Sequence, residues 1–223
     1  MRNCCIIVAG GAGLRMGTTQ PKQFLPLLGI PVLMHTICKF YNYDQSLQII
    51  LVLPQNDIAK WKNLCGQHTF TISHQVIAGG ATRFHSVKNG LSLALKCELI
   101  AIHDGVRPLV SYATIENCFQ CAAKNGTAIP VVAATESIRE GSLDESVSVD
   151  RSRYFMVQTP QVFKSSIIHA SYDQLFDQVL TDDASVVEKA GFKVNLVRGN
   201  RENIKITFPE DIKIAELLLT DKE

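Results

Sequence analysis

Residues 4–8 form a short apolar run that empties directly into Ala9-Gly10-Gly11-Ala12-Gly13-Leu14-Arg15-Met16-Gly17, followed by Pro21-Lys22-Gln23. A strand ending in glycines sets bare backbone N–H groups at the carboxyl edge of a sheet. Such a nest binds anions, phosphate above all. Arg15 and Lys22 add positive charge at once, so the loop points to a nucleoside triphosphate site, with a glycine-rich strand-to-helix turn that binds nothing as the plain alternative. Two common phosphate loops do not fit. A Walker A loop needs Gly-Lys followed by Ser or Thr, which this chain lacks. The dinucleotide fingerprint G-x-G-x-x-G/A fails at Met16, and the second strand runs into Pro54-Gln55-Asn56 without the expected acid.

Strand and helix patterns alternate along the rest of the chain, the signature of a parallel sheet covered by helices. The patterns predict strands at 4–8, 49–53, 72–77, 99–103, 127–132, 155–157 and 194–197. Helices are predicted at 31–41, 57–65, 83–96, 112–124, 166–178 and 183–190, with a last one opened by Pro209-Glu210-Asp211. Pro31 suits a first helical turn, Ser111 is a capping residue, and Gly126 and Gly191 sit where helices stop. A chain of 223 residues, 46% hydrophobic and 19% charged, suits one globular α/β domain, 1–223, with a substantial core.

Composition narrows the partners. A net charge of +1 gives no broad field for nucleic acid. No apolar run approaches the roughly 18 residues of a membrane span, and no signal peptide is expected at the start. Seven cysteines lie mostly in apolar segments, which reads as reduced core thiols of a cytoplasmic protein. Cys118-Phe119-Gln120-Cys121 falls inside a predicted helix without a second ligand pair nearby, so it too reads as buried thiols rather than a metal site.

Residues 134–153 break the rhythm. The stretch is polar and acidic, with too few apolar positions to cover a core face, yet it links two convincing strands. It fits equally a solvated hairpin and an arm reaching a neighbouring subunit. Three clusters fall where strands end, the place for ligands in an open α/β sheet. Gly79-Gly80-Ala81-Thr82-Arg83-Phe84-His85-Ser86 offers small residues that let a base or ribose approach backbone. In His103-Asp104-Gly105-Val106-Arg107-Pro108, a carboxylate at a strand tip reads as a magnesium ligand or its outer-shell partner, with a turn cap as the alternative. In Asn203-Ile204-Lys205-Ile206-Thr207, alternation turns Lys205 away from both isoleucines, with a simply solvated lysine as the alternative.

Taken in order, these motifs carry a resemblance. The Ala9–Gln23 loop resembles the nucleotide loop of the cytidylyltransferases. Ile102-His103-Asp104-Gly105-Val106-Arg107-Pro108, Gln158-Thr159-Pro160-Gln161, Thr181-Asp182-Asp183-Ala184-Ser185 and Asn203-Ile204-Lys205-Ile206-Thr207 resemble the signatures of the 2-C-methyl-D-erythritol 4-phosphate cytidylyltransferase family. The likeness runs over nearly the whole chain. It implies a Rossmann-like nucleotidyltransferase fold of α/β class, with a mostly parallel sheet, helices on both faces and a protruding dimerisation arm at about 134–153. It also implies a homodimer that joins CTP to methylerythritol phosphate with Mg²⁺, releasing pyrophosphate in the non-mevalonate isoprenoid pathway.

By position, the resemblance makes Arg15, Lys22, Arg151 and Lys205 catalytic. Ala9, Gly10, Gly11, Ala12, Gly13, Gly80, Ala81, Ser86 and Asp104 would hold the nucleotide, with Asp104 on the metal. Arg107, Thr135, Arg151, Thr159 and Lys205 would hold the acceptor, and Thr135, Arg151 and Thr159 would come from the partner subunit. Two departures stand out: Ala81 and Ala134 occupy positions where the family often has an acid. A ribitol 5-phosphate cytidylyltransferase is the nearest alternative, although Asp150-Arg151-Ser152 and Asn203-Ile204-Lys205 favour the methylerythritol enzyme. A non-catalytic nucleotide-binding module is the alternative from another class, and a second phosphate site argues against it. A nucleotide-sugar transferase would need a DxD-type motif, which His103-Asp104-Gly105 does not supply. The chemistry needs no general base, because a phosphate monoester with a second pKa near ~6 is already a dianion at neutral pH.

Overall fold

The computed structural model describes residues 2–11 and 20–220, so Ala12, Gly13 and Arg15 of the expected nucleotide loop lie outside the described residues. The sheet is built outward from β1 (Arg2–Val8). On one side it pairs in parallel with β4 (Gln48–Leu53), which pairs in parallel with β5 (Gln75–Ala78). On the other it pairs in parallel with β6 (Cys97–Asp104). Beyond β6 the direction reverses: β11 (Gln161–Lys164) is antiparallel to β6 and to β7 (Thr127–Ala133). β10 (Phe155–Val157) takes the 131–133 end of β7 in antiparallel register, and β12 (Leu196–Arg198) pairs with β7 in parallel.

Alternation along β1 explains the layers. Cys5 and Ile7 face one core, where Leu33, Met34, Ile37 and Phe40 of α1 (Val32–Tyr43) meet Ile115 and Phe119 of α4 (Tyr112–Asn125). Trp61 of α2 (Ile58–Gln67) joins the same cluster. Cys4 and Ile6 face the other core, under Phe84, Val87 and Leu91 of α3 (Arg83–Leu91). Ile168 and Tyr172 of α5 (Ser165–Tyr172) and Val186 and Val187 of α6 (Asp183–Lys189) complete that side. Each such side chain taken fully from water contributes about 1.5–3 kcal/mol, so strands apolar on both faces require a helical layer on each. A third, smaller cluster joins Leu27 of β2 (Pro26–Leu27), Val106, Ile206 and Ala215 of α7 (Pro209–Thr220).

The observed elements depart from the expected ones where side chains intervene. β5 begins at Gln75 rather than 72, because His74 turns inward: its Nδ1 faces the Ile72 carbonyl at 2.7 Å and its Nε2 accepts from Trp61 Nε1 at 2.9 Å. The helix expected at 166–178 stops at Tyr172, where Gln174 Nε2 binds the carbonyls of Ser171 and Val186. The helix expected to reach 96 ends at Leu91 in a pair of tight turns leading to β6. β11 was not expected. Nor was the hairpin of β2 with β3 (Ile30–Pro31), whose turn residues Leu28 and Gly29 both take positive φ, as a two-residue hairpin turn requires.

Several predicted ends hold. The Ser111 hydroxyl accepts from Thr114 N–H at 3.0 Å, and Gly126 closes α4 at φ +92°. Residues 134–153 form an exposed hairpin of β8 (Ile138–Gly141) and β9 (Ser146–Val149), with Leu143 fully exposed near its tip. No helix among the described residues is long and apolar enough to cross a membrane.

Candidate active site

β1 and β6 end side by side, with Val8 in register with Asp104 and Gly105 N–H bonded to the Val8 carbonyl at 2.9 Å. On the other side Ala9 N–H donates to the Val52 carbonyl, and Gly79 N–H donates to Leu53. The tips of β5, β4, β1 and β6 therefore lie side by side, and a cavity of about 300 Å³ opens at them. Ala9, Gly10 and Gly11 form one wall, and buried Gln23 fixes that wall by donating to the Ala9 carbonyl at 2.9 Å. Lys22 lies in the same wall, only 8% exposed, inside a short 3-10 turn (Lys22–Phe24).

The opposite wall is the entry to α3. Gly80 N–H donates to Ser86 Oγ at 3.1 Å, and that hydroxyl donates to the Thr82 carbonyl at 2.9 Å. A Cβ on Gly79 would stand 2.8 Å from Ser86 Oγ, so the close approach of loop and helix excludes a side chain there. Ala81 also lines the cavity and is exposed.

Asp104 occupies the floor. Its Oδ2 pairs with Lys205 Nζ at 3.0 Å and Arg107 Nε at 3.2 Å, while Oδ1 faces Arg83 Nε at 3.9 Å. Burial pushes its carboxyl pKa up, but Lys205, Arg83 and Arg107 outweigh that and hold it well below the usual carboxylate range. Asp104 is therefore an anion throughout the neutral range.

Lys205 reaches Asp104 from an irregular segment rather than a strand. Ile204 and Ile206 pack into the third cluster and turn Lys205 outward, the alternation expected from sequence. The segment is strapped from three sides. Ile206 N–H donates to the Val106 carbonyl at 2.9 Å, Arg107 donates to the Asn203 carbonyl at 2.8 Å, and Asn203 Nδ2 donates to the Thr159 carbonyl at 2.8 Å.

Beneath the floor lies a short relay that sequence reasoning missed. Fully buried His103 has Nε2 at 3.0 Å from the Arg107 carbonyl and Nδ1 at 3.0 Å from Thr159 Oγ1. A carbonyl only accepts, so Nε2 carries the hydrogen, and Nδ1 accepts from the Thr159 hydroxyl. Thr159 Oγ1 in turn accepts from the Asp104 backbone N–H at 3.1 Å.

This network engages two residues expected at the acceptor. The Thr159 hydroxyl is buried and bonded to His103 and to the Asp104 N–H of its own chain. The Arg107 guanidinium pairs with Asp104 and donates to the Asn203 carbonyl. Thr135 and Arg151 come together at the base of the hairpin, where the Arg151 guanidinium donates to the Thr135 carbonyl. Both are exposed, and neither lines the cavity that holds Lys22, Asp104 and Lys205.

Residues 3–221 match the family described as IspD, 2-C-methyl-D-erythritol 4-phosphate cytidylyltransferase. The chain belongs to this family. Among cytidylyltransferases of that name, the one from Bacteroides thetaiotaomicron is 52% identical over 219 residues, covering 98% of this chain and all of that protein. The one from Porphyromonas gingivalis is 50% identical, covering 96% of each chain. The crystal structure of a 4-diphosphocytidyl-2C-methyl-D-erythritol synthase from Anaerococcus prevotii superposes with a TM-score of 0.83 at 28% identity, covering 98% of both chains. The Thermus thermophilus cytidylyltransferase gives 0.81 at 27% identity, over 99% of this chain and 100% of that one. The Rossmann-like nucleotidyltransferase fold expected from sequence is thus the fold of this cytidylyltransferase.

His103 sets an acid limit on this arrangement. Burial, only partly offset by the hydrogen bond to Arg107, pulls its pKa from 6.5 to about 4. Between those values the unfolded chain binds more protons than the native one, so stability is complete above pH 6.5 and declines as pH falls towards 4. The His103→Gln variant lacks this increment. Denaturant titrations across that window should show an acid loss smaller by on the order of 3 kcal/mol than in the parent. Equal slopes would contradict the assignment of a neutral, buried His103.

Proposed function

We propose that this chain transfers the cytidylyl group of CTP to 2-C-methyl-D-erythritol 4-phosphate, releasing pyrophosphate. The observation that carries the reading is the meeting of Lys22, Asp104 and Lys205 in one cavity at the strand tips, in a chain of this family. A phosphate oxygen of the acceptor attacks the α-phosphorus, the bond to the bridging oxygen breaks, and pyrophosphate leaves with the electron pair. The acceptor is a dianion at neutral pH and needs no base. The barrier is the approach of one anion to another, which cations lower by roughly 10²–10⁵ in rate per group. Arg15 and Lys22 take the triphosphate charge, and Lys205 receives the acceptor phosphate. Backbone of Ala9–Gly11 and Gly80, with Ser86, forms a tight wall suited to reading a pyrimidine edge.

Mg²⁺ is the proposed cofactor. Oδ2 of Asp104 is taken by two cations, but among the described residues Oδ1 has no partner closer than Arg83 at 3.9 Å. One carboxylate oxygen suits a Mg²⁺ that completes its shell with triphosphate oxygens and water, the usual arrangement for this ion. Bound there, the ion would neutralise triphosphate charge and orient the leaving group.

The proposed assembly is a homodimer in which Arg151 and Thr135 complete the partner's site. Support comes from the exposed hairpin and from Phe155, Met156 and Val157 of β10 and Leu196 of β12, all 44–60% exposed on neighbours of β7. An apolar patch of that kind marks an interaction surface. Cytoplasmic location and independence from nucleic acid rest on seven free thiols and a net charge of +1.

Pyrophosphate release from CTP with methylerythritol phosphate should exceed release with ribitol 5-phosphate, and ATP or GTP should be poor donors. Equal turnover with ribitol phosphate or with ATP would overturn the assignment. A second measurement addresses the shared site. Lys22→Ala and Arg151→Ala proteins, each nearly inactive, are mixed under conditions where subunits exchange. Random pairing gives one intact site per mixed dimer, so about a quarter of all sites should recover. No recovery despite demonstrated exchange would place Arg151 in its own chain's site.

A further inference from the structure

Half-buried Arg83 and fully buried Asp183 form a pair that the reaction chemistry above does not use. Arg83 opens α3 and lines the cavity, while Asp183 opens α6 and is fully buried behind it. Both terminal nitrogens of Arg83 are forked onto the Asp183 carboxylate, at 2.9 Å and 2.5 Å. The Tyr172 hydroxyl donates to the same carboxylate at 2.6 Å. The start of α6 is itself fixed. Asp182 and Ser185 form a reciprocal cap, and buried Gln161 of β11 bridges the Asp182 carboxylate and the Ala184 N–H, at 2.8 Å each. The position of Asp183 is therefore set by the sheet.

The consequence is felt at Asp104. An arginine free to face a carboxylate closes to a bidentate pair at about 2.7–2.9 Å. Arg83 Nε stands instead at 3.9 Å from Asp104 Oδ1. Oδ2 already takes Lys205 and Arg107. Were Arg83 to close on Oδ1 as well, three cations would contact the carboxylate, and a guanidinium on Oδ1 would repel a metal ion approaching that oxygen. A buried neutral pair would join α3 to α6 equally well, whereas a charged fork also fixes where the guanidinium stands.

We propose that Asp183 is a positioning residue that holds the Arg83 guanidinium back from Asp104, keeping Oδ1 open for a divalent cation carried in by the nucleotide. The inference rests on the reading of Asp104 as the metal-facing carboxylate, and its test separates the two.

The test uses the full-length protein with CTP and Mg²⁺ and no acceptor, so that binding is read without turnover. Calorimetric titrations of CTP over a series of Mg²⁺ concentrations give the Mg²⁺ needed for half-maximal binding. In Asp183→Asn the fork loses its charge and Arg83 closes on Asp104, so that concentration should rise about five- to tenfold, a typical coupling between linked sites. In the double variant Arg83→Gln with Asp183→Asn, a neutral pair keeps the helix contact and the guanidinium is gone. The Mg²⁺ requirement should then return to within about twofold of the parent, even where thermal unfolding shows lower stability.

A purely structural role would leave the Mg²⁺ requirement of Asp183→Asn unchanged while its unfolding temperature fell, and that result overturns the proposal. So does a double variant as impaired as the single one. Asp104→Asn tells the two readings apart. A shifted requirement there with none in Asp183→Asn rejects the positioning role alone. An unshifted requirement in Asp104→Asn rejects the metal-facing carboxylate and the positioning role together.

Discussion

The site depends on one buried anion. Asp104 ends the strand beside β1, and its carboxylate gathers Lys205, Arg107 and, at longer range, Arg83 from three separate parts of the chain. A charge this far from water is tolerable only with compensation, and these cations supply it. The pairing works in both directions. It keeps Asp104 ionised, and it draws an irregular C-terminal segment against the strand tips, where Lys205 can meet a phosphate. Without that anion, residues 203–206 would depend on a few hydrogen bonds and the burial of Ile206.

The rest of the fold serves to hold that anion still. β1, β4 and β6 are apolar on both faces and lie between two helical layers, so their carboxyl ends form a rigid rim. The reversal of β11 against β6 brings Thr159 under Asp104, where His103 and Thr159 fix its backbone. A mostly parallel sheet, with β10 and β11 antiparallel, thus places the side chains proposed for catalysis on the rim and their supports directly below. The exposed hairpin stands apart from this rim, which suits a role towards a second chain.

Much of this was legible in the sequence. Glycines after the first strand, the acid after the third long one and the lysine between two isoleucines all fall in the cavity wall. Each signal was local: a strand pattern followed by a chemically distinctive tip. What stayed hidden was long-range. Thr159 and Arg107 sit in motifs that suggest ligand contacts, yet their partners are Asp104, His103 and a carbonyl at position 203. No spacing rule reveals a hydroxyl that spends itself on a histidine 56 residues away. Asp183 is hidden for the same reason, since its partner Arg83 is 100 residues distant. β11 is not legible because a four-residue strand directly after Pro160 gives little periodic signal.

Hydrogen–deuterium exchange on Asp104→Asn tests most directly whether this carboxylate organises the site. Replacing the charge with an isosteric amide leaves the sheet intact but releases Lys205 and Arg107. The amides of Asn203 and Ile206, and those of the turn at 105–107, should lose protection, while β1, β4 and the two helical layers exchange as in the parent. Unchanged protection over residues 203–206 would contradict the account, because the segment carrying Lys205 would then be held by its packing alone.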